Sequence, residues 1–164
     1  MPAYTPHMET EENELAQLLS VELMRLGGHL VSSVQGHLKQ WDISTPQFNV
    51  LRILYVRDEG EGVSCQTVIE RLLTPVPDLT RLLSRLEERG WVTRFRDPHD
   101  RRIRRSRLTE GGRSVVEEIY PTLTVFHQTE FASLTRAEMQ TLFELVEKAG
   151  HSVSQAKLIM GEEQ

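Results

Sequence analysis

Seven arginines lie within fourteen residues, from Arg94 to Arg107, in a chain of 164 residues whose net charge is −5. They occur in the segment WVTRFRDPHDRRIRRSRLTEGG, where alternating apolar and polar residues flank a turn-forming sequence. This pattern predicts two short strands joined by a tight polar loop. The preceding segment, DLTRLLSRLEERG, has helical spacing and stops at Gly90. A helix followed by an arginine-tipped hairpin is typical of proteins that bind the major groove of duplex DNA with the helix and the minor groove or backbone with the hairpin.

The positive charge is confined to one part of the sequence. Residues 71–107 contain eleven basic and five acidic residues, a net charge of +6, whereas the rest of the chain carries −11. Attraction to phosphate is screened beyond about 8 Å at physiological salt, so the local charge matters more than the total. Because two aspartates cannot neutralise seven arginines, the cluster indicates an anionic partner rather than a merely solvated hairpin.

The remainder of the chain is predicted to be helical from its apolar periodicity and from capping residues at Ser44-Thr45-Pro46, at Thr109, and at Thr135 with Glu138. The expected fold is mainly α with a small β-hairpin wing, a winged helix-turn-helix framed by long terminal helices. The long apolar faces of the terminal helices are typical of a dimer interface. The expected helices span residues 9–40, 46–56, 64–72, 76–89, 109–131 and 136–160.

Two segments, VSCQTVIERLLTPVPDLTRLLSRLEERGWVTR and DPHDRRIRRSRLTEGG, carry the pieces TR-LL-RLE-RG-V, DRR and LTE-G in order. In these pieces and their spacing, residues 63–112 resemble the MarR family of bacterial transcription regulators. The resemblance implies one domain over 1–164, with a DNA-binding lobe at 45–108 and dimerisation helices at 9–42 and 110–160. It further implies a homodimer that represses transcription from a pseudo-palindromic operator, with recognition helices about 34–36 Å apart.

The resemblance assigns DNA contacts to the start of the recognition helix. Thr80 and Arg81 occupy the TR positions, whose side chains contact bases and phosphates. Arg85 is expected either to contact a flanking phosphate or to pair with Glu88. Asp78 departs from the small hydroxyl and amide residues common at its position. It either caps the helix, the interpretation we favour, or accepts a hydrogen bond from cytosine N4.

The wing is the second expected DNA contact. Asp100 and Arg102 match an acid and an arginine that brace this loop in the family, which leaves Arg101 or Arg104 to enter the minor groove. The predicted wing contacts are Arg101, Arg102, Arg104 and Arg105. The alternative function is a winged-helix protein–protein adapter without sequence-specific DNA binding. Such an adapter has no reason to keep those arginines together.

The resemblance also places a small-molecule site near the junction of the DNA-binding lobe and the dimer helices. A small aromatic or anionic effector bound there would change the separation of the two recognition helices. The alternative is that the aromatic residues belong to the core. The candidate lining residues are Trp41, Phe48, Tyr55 and His37.

No catalytic, metal-binding or cofactor motif is found in the sequence. It lacks GxSxG, a phosphate loop, HExxH and a paired-carboxylate motif, which argues against an enzyme. Cys65 is the only cysteine, so neither a disulfide within the chain nor a cysteine-based zinc motif is expected. No two histidines are four residues apart, so neither a metal site nor any other cofactor is predicted.

The predicted location is the cytoplasm. The first residues, MPAYTPHMETEENE, are polar and acidic and lack the apolar core of a signal peptide. No apolar run approaches the roughly 20 residues that a membrane span requires.

Overall fold

The computed structural model describes the backbone of residues 8–161 and the side chains of residues 13–153. The N-terminal segment without the apolar core of a signal peptide is residues 1–14, and its first seven residues lie outside the described part of the chain. The chain divides into two compact units, Met1–Tyr120 and Pro121–Gln164. The helices are α1 (Met8–Leu38), a 3-10 helix (Lys39–Trp41), α2 (Thr45–Arg57), α3 (Cys65–Arg71), α4 (Leu79–Glu88), α5 (Glu110–Glu130) and α6 (Arg136–Gly161). The strands are β1 (Val63–Ser64), β2 (Val92–Arg96) and β3 (Arg104–Leu108), which confirms the predicted fold class.

Two helices begin at predicted capping sequences. The Ser44 hydroxyl accepts the Gln47 N–H at 3.4 Å, and the Gln47 side chain accepts the Ser44 N–H at 2.9 Å. The Thr135 hydroxyl accepts the Glu138 N–H at 3.3 Å, and Glu138 accepts the Thr135 N–H at 2.8 Å. Each capping box satisfies N–H groups that lack partners inside the helix and stabilises it by about 1 kcal/mol.

The recognition helix α4 is shorter than predicted. It begins at Leu79 rather than near Val76, because Asp78 is its N-cap. The Asp78 side chain accepts the N–H of Arg81 at 2.9 Å, which confirms the capping interpretation. Pro77 therefore precedes the helix instead of occupying its first turn.

The end of α4 is fixed by Gly90. This residue has a φ of 72°, which a residue without a Cβ adopts at no steric cost. Its N–H donates to the Glu87 carbonyl at 2.8 Å, and the N–H of Trp91 donates to the Leu86 carbonyl at 3.0 Å. These two bonds satisfy the last carbonyls of the helix and turn the chain into β2.

The wing is a three-stranded antiparallel sheet of order β1-β3-β2, not the two-stranded hairpin that the sequence predicted. Val63 pairs with Ser106, and Ser64 pairs with Arg105. Val63–Ser64 was predicted to open the following helix. Instead, Ser64 is extended, with φ −70° and ψ 154°, so that it both pairs in the sheet and caps α3. Two residues are too few for an alternating pattern to reveal a strand.

The core of the first unit surrounds α2, which packs against α1, α3, α4 and β3. Burying each leucine or valine side chain here contributes about 1.5–3 kcal/mol. Because α2 lies in the middle, it fixes the positions of the recognition helix and the wing. The fully buried side chains of this unit include Leu38, Val50, Leu51, Leu54, Val68, Leu83, Leu86, Val92, Val116 and Ile119.

The first turn of α5 packs directly on the residues that follow α4. The Thr109 hydroxyl donates to the Gly90 carbonyl at 2.6 Å, and the Thr109 N–H donates to the Trp91 carbonyl at 3.0 Å. The same hydroxyl accepts the Gly112 N–H at 3.0 Å, so Thr109 caps α5 as predicted. A Cβ at Gly112 would lie 2.0 Å from the Trp91 oxygen, so only glycine fits this close approach.

Both units leave large apolar side chains exposed on their long helices. On α1 these are Leu15, Leu18, Leu19, Val21, Met24, Leu26 and Val31, with exposed fractions from 41% to 70%. On α6 they include Met139, Phe143, Leu145, Val146 and Val153. None of the described helices combines the length and apolar character needed to cross a membrane. Exposed apolar surface of this extent is typical of an interface between proteins.

Candidate nucleic-acid interface

The outer face of α4 carries the polar residues that the sequence assigned to DNA. Its inner face is held in place by Leu79, Leu83 and Leu86, which are at most 8% exposed. Thr80, Arg81 and Arg85 consequently point outward and are exposed. Within the part of the chain that the structure describes, neither guanidinium makes a hydrogen bond or an ion pair. Arg85 therefore does not pair with Glu88, which was one of the two roles expected for it.

Asp97 organises the turn of the wing from a buried position. It is 3% exposed, and its Oδ1 accepts the N–H groups of His99 and Asp100 at 2.7 and 2.9 Å. Its Oδ2 accepts a hydrogen bond from Arg105 Nε. The Asp100 N–H, followed by the Arg105 guanidinium and the His99 N–H, lowers the pKa of Asp97 from 3.8 to about 2, and burial opposes this shift. The carboxylate is therefore charged at neutral pH.

The acid–arginine pair that braces the wing is Asp97–Arg105, and the expected pairing of Asp100 with Arg102 is wrong. Asp100 contributes through the backbone instead. Its Oδ1 accepts the Arg102 N–H at 2.9 Å, and its carbonyl accepts the Ile103 N–H at 2.9 Å. Asp100 thus shapes the turn, while the Arg102 side chain stays exposed.

Arg105 was predicted to contact DNA, but its guanidinium is engaged inside the protein. Besides the bond to Asp97, Arg105 Nη1 donates to the Gly62 carbonyl at 2.9 Å. These two bonds connect the wing to the turn before β1. Because the side chain is only 26% exposed and its Nε and Nη1 both donate within the protein, Arg105 serves as a brace of the wing.

Two further arginines of the cluster are structural. Arg94 Nη1 donates to Ser84 Oγ at 2.8 Å, and the Arg94 N–H donates to Glu87 at 3.1 Å, so the wing is fastened to α4. Arg107 Nη2 donates to the Gly60 carbonyl at 2.6 Å. Of the seven clustered arginines, three therefore hold the wing in position.

The other four arginines of the cluster are exposed and, among residues 13–153, have no hydrogen-bonding or ionic partner for their side chains. Three of them were predicted, and Arg96 was missed. Arg96 lies directly opposite Arg104 in the register of β2 and β3. Like charges facing each other across strands are destabilising unless an anion lies between them. Counting residues outward from the turn along both strands would have placed Arg96 opposite Arg104. The four residues are Arg96, Arg101, Arg102 and Arg104.

Of the four residues expected at an effector site, two form hydrogen bonds with α5, and a third lies beside one of these two. Trp41 Nε1 donates to Glu118 Oε1 at 2.7 Å, and the Tyr55 hydroxyl donates to Glu117 Oε1 at 3.2 Å. The ring centroids of His37 and Trp41 are 5.7 Å apart. The fourth residue, Phe48, is 5% exposed and belongs to the core, as the alternative interpretation had it.

Groups that bind metals do not cluster in the described part of the chain. No set of three or more His, Cys, Asp or Glu side chains there is arranged to hold a metal ion. Cys65 is the first residue of α3, with a free, partly buried thiol.

Known proteins match this architecture in sequence and in structure. A family model described as the MarR family matches residues 41–103. YpoP, an uncharacterised HTH-type transcriptional regulator of Bacillus subtilis, is 31% identical over 107 residues, which cover 65% of this chain and 74% of YpoP. The chain belongs to the MarR family of transcription regulators. Members of this family regulate transcription by binding DNA and are not enzymes.

Three further proteins are similar to this chain. The HTH-type transcriptional repressor IacR of Pseudomonas putida is 28% identical over 131 residues, which cover 80% of this chain and 77% of IacR. A MarR variant from E. coli, solved with operator DNA, is 28% identical with a TM-score of 0.72, covering 84% of this chain and 96% of that one. BpsR of Bordetella bronchiseptica, whose DNA binding is regulated by 6-hydroxynicotinic acid, is 28% identical with a TM-score of 0.71, covering 81% and 98%.

Proposed function

We propose that this MarR-family protein is a homodimeric repressor that occupies a pseudo-palindromic operator with α4 and the wing. One observation carries the proposal. The outward guanidiniums of α4 and of the wing lack partners in the described residues, while Arg94 fastens the two elements together. A surface of fixed geometry with several unneutralised arginines suits a polyanion with regularly spaced charges.

The two elements would have different tasks on DNA. Arg81, in the first turn of α4, has the reach and the paired donors to bind guanine O6 and N7 in the major groove. Thr80 and Arg85 would contact neighbouring bases and phosphates. The wing arginines, led by Arg101 and Arg104, would lie along the backbone and the minor groove. In this arrangement α4 would provide the sequence specificity, and the wing would provide most of the salt-dependent affinity.

A second copy of the chain would cover the exposed apolar side chains of α1 and α6. The dimerisation segments proposed here are residues 9–42 and 110–160, and the DNA-binding lobe is 45–108. A two-fold axis would set the recognition helices about 34–36 Å apart, one turn of DNA. The repressor IacR and the operator complex of the E. coli relative support this mode of action. Acting on chromosomal DNA, the protein would work in the cytoplasm.

An effector would act where Trp41 and Tyr55 bond to α5. The two acceptors, Glu117 and Glu118, are adjacent carboxylates, while the Arg113 guanidinium lies 5.3 Å from the centroid of the Tyr55 ring. These contacts suit a small aromatic or anionic effector. A ring placed beside His37 would compete for the Trp41 contact and release the 3-10 helix from α5. If the two arrangements differ in the spacing of the recognition helices, binding to one of them shifts the affinity for DNA.

Fluorescence anisotropy tests the DNA-binding part of this proposal. The purified protein is titrated against a labelled duplex from the region upstream of its own gene and against a scrambled duplex of equal composition, at two salt concentrations. We expect tighter binding to the native duplex and a steep loss of affinity as salt increases. Equal, weak and salt-insensitive binding to both duplexes would instead support a protein–protein adapter.

A further inference from the structure

A pocket of about 270 Å³ lies between α2 and α3, apart from the residues assigned to DNA and to the effector. Three of its five lining side chains are arginines, and none is acidic. The other two are apolar: Ile53 is 3% exposed, and Val56 is 55% exposed. The lining residues are Arg52, Ile53, Val56, Arg57 and Arg71. The pocket therefore combines concentrated positive charge with an apolar wall.

The positive charge of this arginine pocket is not neutralised by the described residues. Arg52 donates to the neutral Asn49 side chain at 3.1 Å, while the side chains of Arg57 and Arg71 form no hydrogen bond or ion pair there. The acids next to them in sequence are occupied elsewhere. Asp58 accepts the N–H groups of the turn that follows α2, and Glu70 accepts from the Gln66 side chain at 2.8 Å.

Helix stability accounts for only part of this arrangement. Arg57 and Arg71 lie in the last turns of α2 and α3, where a cation interacts favourably with the helix dipole. A cation near the helix end has this favourable interaction whichever way its side chain points. This interaction does not explain why both side chains, together with Arg52 from the preceding turn, line one pocket.

We infer that the arginine pocket binds a small phosphomonoester, with the phosphate among the three guanidiniums and the organic group against Ile53 and Val56. A guanidinium offers paired donors that match two oxygens of a phosphate. A phosphomonoester carries a charge of about −1.5 to −2 near neutral pH and so neutralises more of the three arginines than a carboxylate or a phosphodiester does. The pocket volume leaves space beside the phosphate for a group about the size of a phenyl ring.

Isothermal titration calorimetry with phenyl phosphate tests the inference on the full-length protein. The test variant is Arg57→Gln/Arg71→Gln, which removes two charges and leaves polar, unbranched side chains. Arg136→Gln is the control for the loss of an exposed arginine, because Arg136 is exposed at the start of α6 and does not line the pocket. We expect saturable binding of one phenyl phosphate per chain, weakened at least about tenfold in the test variant and unchanged in the control.

Two further ligands and one DNA measurement complete the test. Phenyl sulfate, which carries a single charge, should bind more weakly than phenyl phosphate, and inorganic phosphate should bind more weakly because it makes no contact with Ile53 or Val56. Thermal unfolding establishes that the variants are folded. Absence of saturable phenyl phosphate binding, or equal binding by the test variant, would overturn the inference. A test variant that instead loses DNA affinity would identify these arginines as contacts to a phosphodiester. Unchanged DNA binding by this variant would leave the proposed operator contacts unaffected.

Discussion

Arg105 and Asp97 form an ion pair within the wing, and Arg105 simultaneously donates to the Gly62 carbonyl. Asp97 directly follows β2, whereas Arg105 lies on β3 opposite Phe95. The pair therefore closes the loop end of the hairpin and connects it to the turn before β1. The exposed arginines of the wing are held in position by this internal contact.

The Asp97 carboxylate should make the stability of the protein depend on pH in the acid range. Its pKa is about 2 in the folded protein and 3.8 ordinarily. The stabilisation is therefore complete above about pH 4 and is lost as the pH falls to about 2. Urea unfolding of the wild type and Asp97→Asn at several pH values measures this effect. We expect the difference between their free energies of unfolding to shrink as the pH falls from 4 to 2. A difference that does not change with pH would show that the charge of Asp97 is not what stabilises the wing.

Asp78 should contribute about 1 kcal/mol to stability as the N-cap of α4. Asp78→Ala removes the acceptor for the Arg81 N–H, whereas Asp78→Asn keeps an acceptor and removes only the charge. Urea unfolding should show the loss for the alanine variant and little change for asparagine. Binding to operators altered one base pair at a time provides the second measurement. If Asp78 only caps the helix, both variants keep the base preference of the wild type, and a changed preference at one position would mean that Asp78 also contacts a base.

Arg81 and Arg96 should differ in how their loss affects DNA binding. Arg81→Ala should weaken binding to the operator by about 1–3 kcal/mol and binding to random DNA much less, because a base contact is lost. Arg96→Ala should weaken both about equally and lower the slope of log affinity against log salt by about 1, because a phosphate contact is lost. Anisotropy titrations over a range of salt concentrations distinguish the two. Equal loss on random DNA for Arg81→Ala would make this residue a phosphate contact.

Gly112→Ala should destabilise the protein, whereas the neighbouring Gly111→Ala should not. An added Cβ at Gly112 would lie 2.0 Å from the Trp91 carbonyl oxygen, which forces the backbone apart and costs about 1–3 kcal/mol. At Gly111 the nearest atoms would be 3.7 Å away, an ordinary contact, and alanine favours a helix by up to about 1 kcal/mol. Thermal unfolding compares the two. Similar stabilities would show that the close approach at Trp91 is easily relaxed.

The exposed apolar side chains of α1 should be required for dimerisation. Leu18 and Met24 are 63% and 70% exposed, and replacing both with glutamate would place charge in the proposed interface. Analytical ultracentrifugation should show a dimer for the wild type and a monomeric or unfolded chain for the variant. Ile69→Glu is the control, since Ile69 is 55% exposed on α3, outside the proposed dimerisation segments. A wild-type chain that is a folded monomer at micromolar concentration would contradict the proposed dimer.

Helix ends were predictable from sequence where a local side chain fixes them. The caps at Ser44, Thr109 and Thr135 and the stop at Gly90 depend on neighbours a few residues away, so the sequence contains all the information needed. The start of α4 was placed about three residues too early, because a proline is compatible both with the first turn of a helix and with the residues before it.

The organisation of the wing was less predictable. The cluster of arginines indicated the type of partner, but seven identical side chains do not reveal which of them face inward. That depends on the strand register and on contacts with residues some forty positions away, such as Gly60 and Gly62. Strand β1 was not predicted for the same reason, because it pairs with β3, about forty residues later in the chain. Asp97 and Asp100 are both turn-forming residues, and only the folded hairpin distinguishes the buried carboxylate from the exposed one.

The contact between Gly112 and the Trp91 carbonyl also has a mechanical consequence. Because α5 begins on the residues that terminate α4, with no room for a side chain between Gly112 and the Trp91 carbonyl, we expect this junction to transmit displacement instead of absorbing it. We expect a tilt of the first turns of α5, where Glu118 accepts a hydrogen bond from Trp41 and Glu117 accepts one from Tyr55, to move the recognition helix as well. An effector bound at the Trp41 and Tyr55 contacts would then act on the exposed face of α4 through α5 itself.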